Sequence, residues 1–162
     1  MLDYVLDLVD EVIEVDDTEI AAAILFLLEQ HKLVVEGAGA TGVAAVMHDK
    51  IECEGKKVVL PLSGGNIDVT MLAQIIQKGL VKSARKMNLI VTLIDKPGSL
   101  KTLTSIFEKV SGNIVQIDYD RNSVSLDFGE ANVTISLETK GDEHQESIRT
   151  ELRKAGYRFK EV

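Results

Sequence analysis

Hydrophobic and polar positions change rhythm along this chain, and each rhythm predicts an element. Apolar residues alternate loosely from Leu2 to Val15 and end in Val12-Ile13-Glu14-Val15, which predicts a short strand. Asp16, Asp17 and Thr18 then offer capping side chains, and Asp16 followed by Glu19 resembles a capping box. A helix is predicted from Thr18 to His31. Its run Ile20–Leu28 is apolar nearly all round, a pattern that belongs inside a larger core. The small-residue stretch Glu36-Gly37-Ala38-Gly39-Ala40-Thr41-Gly42 leads to a short helix at about Thr41–His48. Lys57–Leu62 has consecutive apolar residues and predicts a strand buried on both faces. Ser63-Gly64-Gly65-Asn66 is a tight loop, Ile67–Lys78 a helix, and Gly79 stands where a glycine ends helices.

After Lys86 the alternation becomes regular. Met87–Ile94 is predicted as a strand, Asp95-Lys96-Pro97-Gly98 as a turn, and Ser99–Val110 as an amphipathic helix. That helix puts Leu100, Leu103, Ile106, Phe107 and Val110 on one face, and Ser111-Gly112 stops it. Strands follow at Ile114–Tyr119 and Val133–Leu137, separated by a long polar connection, Arg121–Ala131. Asp142–Ala155 is a helix closed by Gly156, with Asp142 and Glu143 complementing its dipole, and Tyr157–Val162 a last strand. The order βαββαβ builds a four-stranded antiparallel sheet with two helices on one face, the ferredoxin-like arrangement.

Composition narrows the functional classes. The 162 residues are 45% hydrophobic and 27% charged, an ordinary globular balance for one domain or two small ones. The formal net charge is −8, and such a chain is repelled by phosphate backbones unless it carries a basic stripe. The nearest approach to one is Lys78, Lys82, Arg85 and Lys86; aromatics are 4% with no tryptophan, so no nucleic-acid partner is expected. The longest apolar run, Ile20–Leu28, has nine residues against the roughly 20 that span a bilayer, so no membrane partner is expected. Met1-Leu2-Asp3-Tyr4 has no basic export region, and Cys53 alone cannot form an internal disulfide; a cytoplasmic protein is expected.

Two stretches carry a resemblance. Asp95-Lys96-Pro97-Gly98-Ser99-Leu100, with Gly112-Asn113-Ile114 opening the second strand of a βαββαβ unit, resembles an ACT domain, an amino-acid-sensing module. The stretch from Ala23 through Glu36-Gly37-Ala38-Gly39-Ala40, then Leu62-Ser63-Gly64-Gly65-Asn66-Ile67-Asp68, resembles the end of the catalytic domain of threonine ammonia-lyase. That enzyme belongs to the tryptophan-synthase-β-like, fold-type II group using pyridoxal phosphate. The resemblance implies an α/β chain in two parts: residues 1–85 the truncated end of the catalytic domain, and residues 86–162 an ACT domain. It also exposes a deficit. The family's Schiff-base lysine follows Ser-Phe, and its phosphate loop is a run of glycines. Here no lysine follows Ser-Phe, and Gly64-Gly65 is the single glycine pair. A cut piece of a longer protein, a split gene and a degenerate reading frame all fit that deficit.

By the resemblance, Ser63 would hydrogen-bond the pyridine nitrogen and Glu36 would stand beside the cofactor, in an intact enzyme. This chain alone is expected to hold no pyridoxal phosphate and to be inactive. The bland alternatives are an N-capping serine and a strand-end acid. The effector candidate is Asp95, Pro97, Gly98, Ser99, Leu100, Asn113 and Ile114. Gly98 permits a turn before a helix N-terminus, where free N–H groups favour a carboxylate, while Asp95 and Asn113 could hold an amino group. Isoleucine or valine is the expected ligand class. In ACT domains such a ligand usually lies between two paired domains, so a homo-oligomer is expected.

Other candidate groups read as structural. His31, His48 and His144 have no metal-ligand spacing, acids flank Cys53, and Met71 and Met87 suit core filling. The rival functional reading is a stand-alone ACT-type regulatory protein. On either reading, the apolar helix and strand of residues 1–85 lack enough neighbours and are expected to pack against another copy or the ACT sheet.

Overall fold

The computed structural model describes residues 7–122 and 126–162. The expected alternation at 2–6 and the middle of the polar connection, 123–125, lie outside the described residues. The chain divides into two compact units, Met1–Gly79 and Leu80–Val162.

In the first unit, helix α1 (Asp17–Phe26) begins where its sequence signature places it. Asp16 is extended and accepts the N–H groups of Thr18 and Glu19, each at 2.8 Å, while the Glu19 carboxylate takes the Asp16 N–H at 2.9 Å. This reciprocal box satisfies donors that the helix cannot. The helix widens into a π-helical turn, Leu27–His31, and stops at Lys32, which adopts the left-handed conformation at φ 60°. Helix α2 (Gly37–Met47) packs on α1, and Ala23, Ile24, Leu27, Val35, Ala40, Val43 and Ala44 form the core. Helix α3 (Val69–Lys82) is capped by Asp68, which accepts the N–H groups of Thr70 and Met71 at 2.7 and 3.1 Å.

Several expectations for this region are corrected. Val12–Val15 and Lys57–Leu62 form no strand; both run without a ladder partner, and each sends one side chain, Val15 or Leu60, against the core. Val59 is 90% exposed, so the expected burial on both faces fails. Helix α2 starts at Gly37, not Thr41, taking in the small-residue stretch. Gly79 ends nothing: α3 continues to Lys82, and a Cβ at Gly79 would lie 2.1 Å from Leu25 Cδ2, so close approach explains the glycine. Met71, expected as core filler, is 56% exposed, whereas Met87 is buried.

The second unit runs β1 (Lys86–Ile94), α4 (Ser99–Lys109), β2 (Asn113–Asp120), β3 (Glu130–Glu138), α5 (Asp142–Lys154) and β4 (Arg158–Glu161). The four strands form one antiparallel sheet in the order β2-β3-β1-β4. Strict alternation selects the buried face. Met87, Leu89, Val91 and Leu93 of β1 share it with Ala131, Val133, Ile135 and Leu137 of β3, in a register that sets Leu89 against Ile135 and Val91 against Val133. Leu103 and Phe107 from α4 and Ile148 and Leu152 from α5 join the same core, so both helices cover that one face. Burying such side chains stabilises by roughly 1.5–3 kcal/mol each. On the opposite face, cross-strand polar pairs close on each other: Ser136 Oγ donates to Asn88 Oδ1 at 2.7 Å and Thr92 Oγ1 to Asn132 Oδ1 at 2.9 Å.

The segment entering the sheet is tied down. Ala84 is buried and left-handed at φ 53°. Its carbonyl accepts from Thr139 Oγ1 at 2.6 Å and from the Gly141 N–H at 3.1 Å, while the Arg85 carbonyl accepts from the Thr139 N–H at 2.9 Å. Buried Gln145 completes the set by donating to Thr139 Oγ1 and to the Lys86 carbonyl. His144 joins two helix ends: its Nδ1 accepts the Lys140 N–H at 3.0 Å, so Nε2 carries the proton and donates to the Val110 carbonyl at 2.7 Å.

Candidate functional site

In the first unit the structure brings Glu36 and the Ser63 loop together, 27 positions apart though they are. Glu36 follows the non-helical segment Leu33–Val35, is itself extended and stands at the N-cap of α2. Its N–H donates to the Gly64 carbonyl at 2.6 Å. Two glycines make the approach possible. A Cβ at Gly39 would lie 1.9 Å from the Ser63 carbonyl oxygen, and one at Gly64, left-handed at φ 72°, would lie 2.1 Å from Glu36 Cδ. The loop therefore lies directly on the first turn of α2; a larger residue at Gly39 meets the Ser63 backbone, and one at Gly64 meets the Glu36 side chain.

The residues present fit one edge of a pyridoxal-phosphate site. Ser63 offers a hydroxyl and Glu36 a carboxylate, both at least partly open to solvent. Since the chain has no lysine after Ser-Phe and its one glycine pair is in this loop, neither the family's covalent anchor nor its phosphate loop is among these residues. Among the described residues no group of three or more His, Cys, Asp or Glu could hold a metal ion. No helix among them is long and apolar enough to cross a membrane.

In the second unit a backbone hydrogen bond closes the turn after β1. The Ser99 N–H donates to the Lys96 carbonyl at 3.2 Å, with Pro97 and Gly98 central and Gly98 at φ 89°, ψ −15°. This is a type II turn, which requires a positive φ at its third position and so selects glycine. Gly98 is also the N-cap of α4, where no side chain caps the helix. Thr102 makes the first helical bond, to the Gly98 carbonyl at 3.0 Å. Earlier N–H groups have no carbonyl within their own helix and form its positive end.

Asp95 is fixed beside this turn. Its N–H donates to the Gly129 carbonyl at 2.8 Å, and its Oδ1 accepts from the Tyr119 hydroxyl at 2.9 Å. Its Oδ2 faces Arg121 Nε at 3.5 Å, and the Arg121 guanidinium also lies over the Tyr119 ring, 5.6 Å from the centroid. Partial burial, then the bond to Asp95, raises the Tyr119 hydroxyl above the usual phenol range. Tyr119 and Arg121 were missed in the sequence, because nothing local in it signals that the end of β2 reaches the end of β1.

The seven candidate effector residues do not converge within one chain. Asp95, Pro97, Gly98, Ser99 and Leu100 cluster where β1 ends. Asn113 and Ile114 begin β2 at the other end of the sheet, where Asn113 pairs with Glu138, whose other neighbour is Lys86. Eight residues of strand separate the two ends, roughly 25 Å at the usual rise. Asn113 Nδ2 donates to Glu138 Oε2 at 2.7 Å. Asp95 and Asn113 of one chain therefore lie at opposite ends of its sheet. β1 and β2 run the same way with β3 between them, so the end of one is far from the start of the other.

Residues 1–64 match the family model described as pyridoxal-phosphate dependent enzyme. An L-threonine ammonia-lyase of Thermotoga maritima is 46% identical over 95% of this chain and 38% of its own length. One from Geobacter sulfurreducens is 44% identical over 93% of this chain and again 38% of its own. A biosynthetic L-threonine dehydratase of Lactococcus lactis is 34% identical over 70% of this chain and 27% of its own. Prephenate dehydratase from Streptococcus mutans aligns over 48% of this chain and 40% of its own at 24% identity, with a TM-score of 0.41. The chain thus spans 38% of the length of the two threonine ammonia-lyases. With its pyridoxal-phosphate match at the N-terminal side and its relatives agreeing over nearly all its residues, it belongs to the pyridoxal-phosphate-dependent threonine ammonia-lyase family and fits the C-terminal portion of that enzyme.

Proposed function

We propose that this chain is the regulatory, C-terminal portion of a threonine ammonia-lyase. The whole enzyme would convert threonine to 2-oxobutanoate and ammonia, the entry to isoleucine. The observation that carries this reading is the 46% identity over 95% of the chain to an L-threonine ammonia-lyase. Pyridoxal phosphate, when bound in the intact enzyme, supplies the electron sink for that elimination. From this chain, Ser63 would meet the ring nitrogen, and Glu36, packed on Gly64, would hold the loop in place.

The second unit acts, on this proposal, as an ACT domain that senses isoleucine or valine. Its element order and the strand order β2-β3-β1-β4 support the ferredoxin-like assignment. A ligand carboxylate would sit at the uncapped start of α4 and its ammonium near Asp95. Asn113 and Ile114 would come from a second copy. β2 is an edge strand, and a two-fold axis beside it sets the two edge strands antiparallel. That operation carries the Asn113 end of one chain to the Asp95 end of the other. Coupling between effector and catalytic sites is typically about 1–3 kcal/mol.

The test is calorimetric titration of the purified chain with isoleucine, valine and threonine. Saturable heat from isoleucine or valine, and not threonine, is the expected result; silence from all three removes the sensing role. The second reading is a stand-alone amino-acid-binding regulator. A neighbouring reading frame that encodes Ser-Phe-Lys decides for a split enzyme, and its absence for the regulator.

A further inference from the structure

Tyr119 and Arg121, which the effector reading does not use, both contact the Asp95 carboxylate. The three are brought together from the end of β1, the end of β2 and the residue just after it. The two contacts to Asp95 differ in kind. Tyr119, 36% exposed on the edge strand β2, makes a hydrogen bond of ordinary length, 2.9 Å. Arg121 makes a single long contact, 3.5 Å, from a side chain that is 62% exposed, while the Asp95 side chain is 27% exposed. Exposed pairs of that geometry are weak and screened by salt. Oδ1 thus has the shorter contact and Oδ2 the longer one.

We propose that Arg121 is a built-in competitor for the ammonium group of the effector, and that Tyr119 is the positioning residue that keeps the Asp95 carboxylate aimed at the turn. The inference rests on the effector reading above. In the ligand-free chain the guanidinium neutralises Asp95. An incoming amino acid brings its own cation to Oδ2, and Arg121 swings off into solvent, keeping only its stacking on Tyr119. The cost of releasing Arg121 is subtracted from effector binding and sets a threshold concentration for sensing. Ligands without an ammonium group do not compete with Arg121 for Asp95, so its removal brings their binding no gain.

The experiment titrates the full chain by calorimetry with isoleucine, valine and threonine, and with 3-methylbutanoate, which lacks the ammonium group. The variants are Arg121→Gln, Arg121→Lys and Tyr119→Phe, each checked for an unchanged thermal unfolding midpoint. Arg121→Gln tightens binding of the amino acid by roughly two- to five-fold, the worth of an exposed ion pair. Arg121→Lys, which keeps the charge, restores wild-type affinity, and neither variant improves binding of 3-methylbutanoate. Tyr119→Phe weakens amino-acid binding about ten-fold, as expected for a lost hydrogen bond to a charged group. Heat that appears only in Arg121→Gln also supports the competitor. Wild-type binding that Arg121→Gln leaves unchanged or weakens overturns the competitor and leaves the effector site standing. Silence from every chain with every ligand overturns both.

Discussion

Single side chains in the second unit tie its helices together electrostatically. Glu151 of α5 holds Lys109 of α4 and, one turn on, Lys154 at 2.9 Å. Hydrogen bonding by Lys109, and then by Lys154, lowers its carboxyl from 4.5 to about 2. A depressed carboxylate stabilises the fold above its unfolded value and loses that contribution as pH falls through the folded one. The expected outcome is that the stability difference between the wild-type chain and Glu151→Gln shrinks as pH drops from about 4.5 to about 2, followed by urea midpoints. Parallel pH curves would refute the assignment. The candidate site was partly legible at this scale. Gly98 was read as a turn glycine, and the type II geometry explains why. Tyr119 was not legible, because its partner lies 24 residues away and a hydrogen bond across strands leaves no local pattern.

At the scale of elements, regular periodicity translated well and isolated apolar runs did not. β1 and β3 alternate buried and half-buried residues without a break because one sheet face meets two helices. Val12–Val15 and Lys57–Leu62 have strand composition too, yet a strand needs a neighbour to receive its N–H and C=O groups. Composition states what a backbone can do, and the presence of a partner is a fact about the rest of the fold. Gly79 illustrates the same limit: a glycine near a helix end looks like a stop signal until Leu25 is seen lying against it. The contact of the Ser63 loop with α2 gives a sharp test. Gly39→Ala puts a methyl group into the Ser63 backbone and should cost about 2 kcal/mol, as overpacking does. Gly65→Ala, where nothing lies within 4 Å, should stay within about 0.5 kcal/mol. Equal urea midpoints for the two variants would show that the loop does not rest on the helix.

For the whole molecule, the contrast is in how each unit treats its apolar surface. The second unit closes a core of twelve buried side chains. The first unit leaves Leu8, Val12, Val59 and Val69 at least 75% exposed. Apolar surface of that extent drives association or binds dyes. The purified chain is therefore expected to associate in a concentration-dependent way in sedimentation velocity and to bind a hydrophobic dye. Salt should strengthen the association by screening a net charge of −8. A dilute monomer that binds no dye would contradict this.

The sequence by itself determined the capping box at Asp16, the turn at Gly98, the six elements of the second unit and the loop at Ser63, because each rests on contacts within a few residues or on a strict period. Only the tertiary structure decided the rest. It set Glu36 on Gly64, joined Tyr119 and Arg121 to Asp95, and sent Asn113 to the far end of the sheet. It also left two strand-like segments without ladders. Those outcomes depend on which distant backbone arrives as a neighbour, and local periodicity carries no record of that.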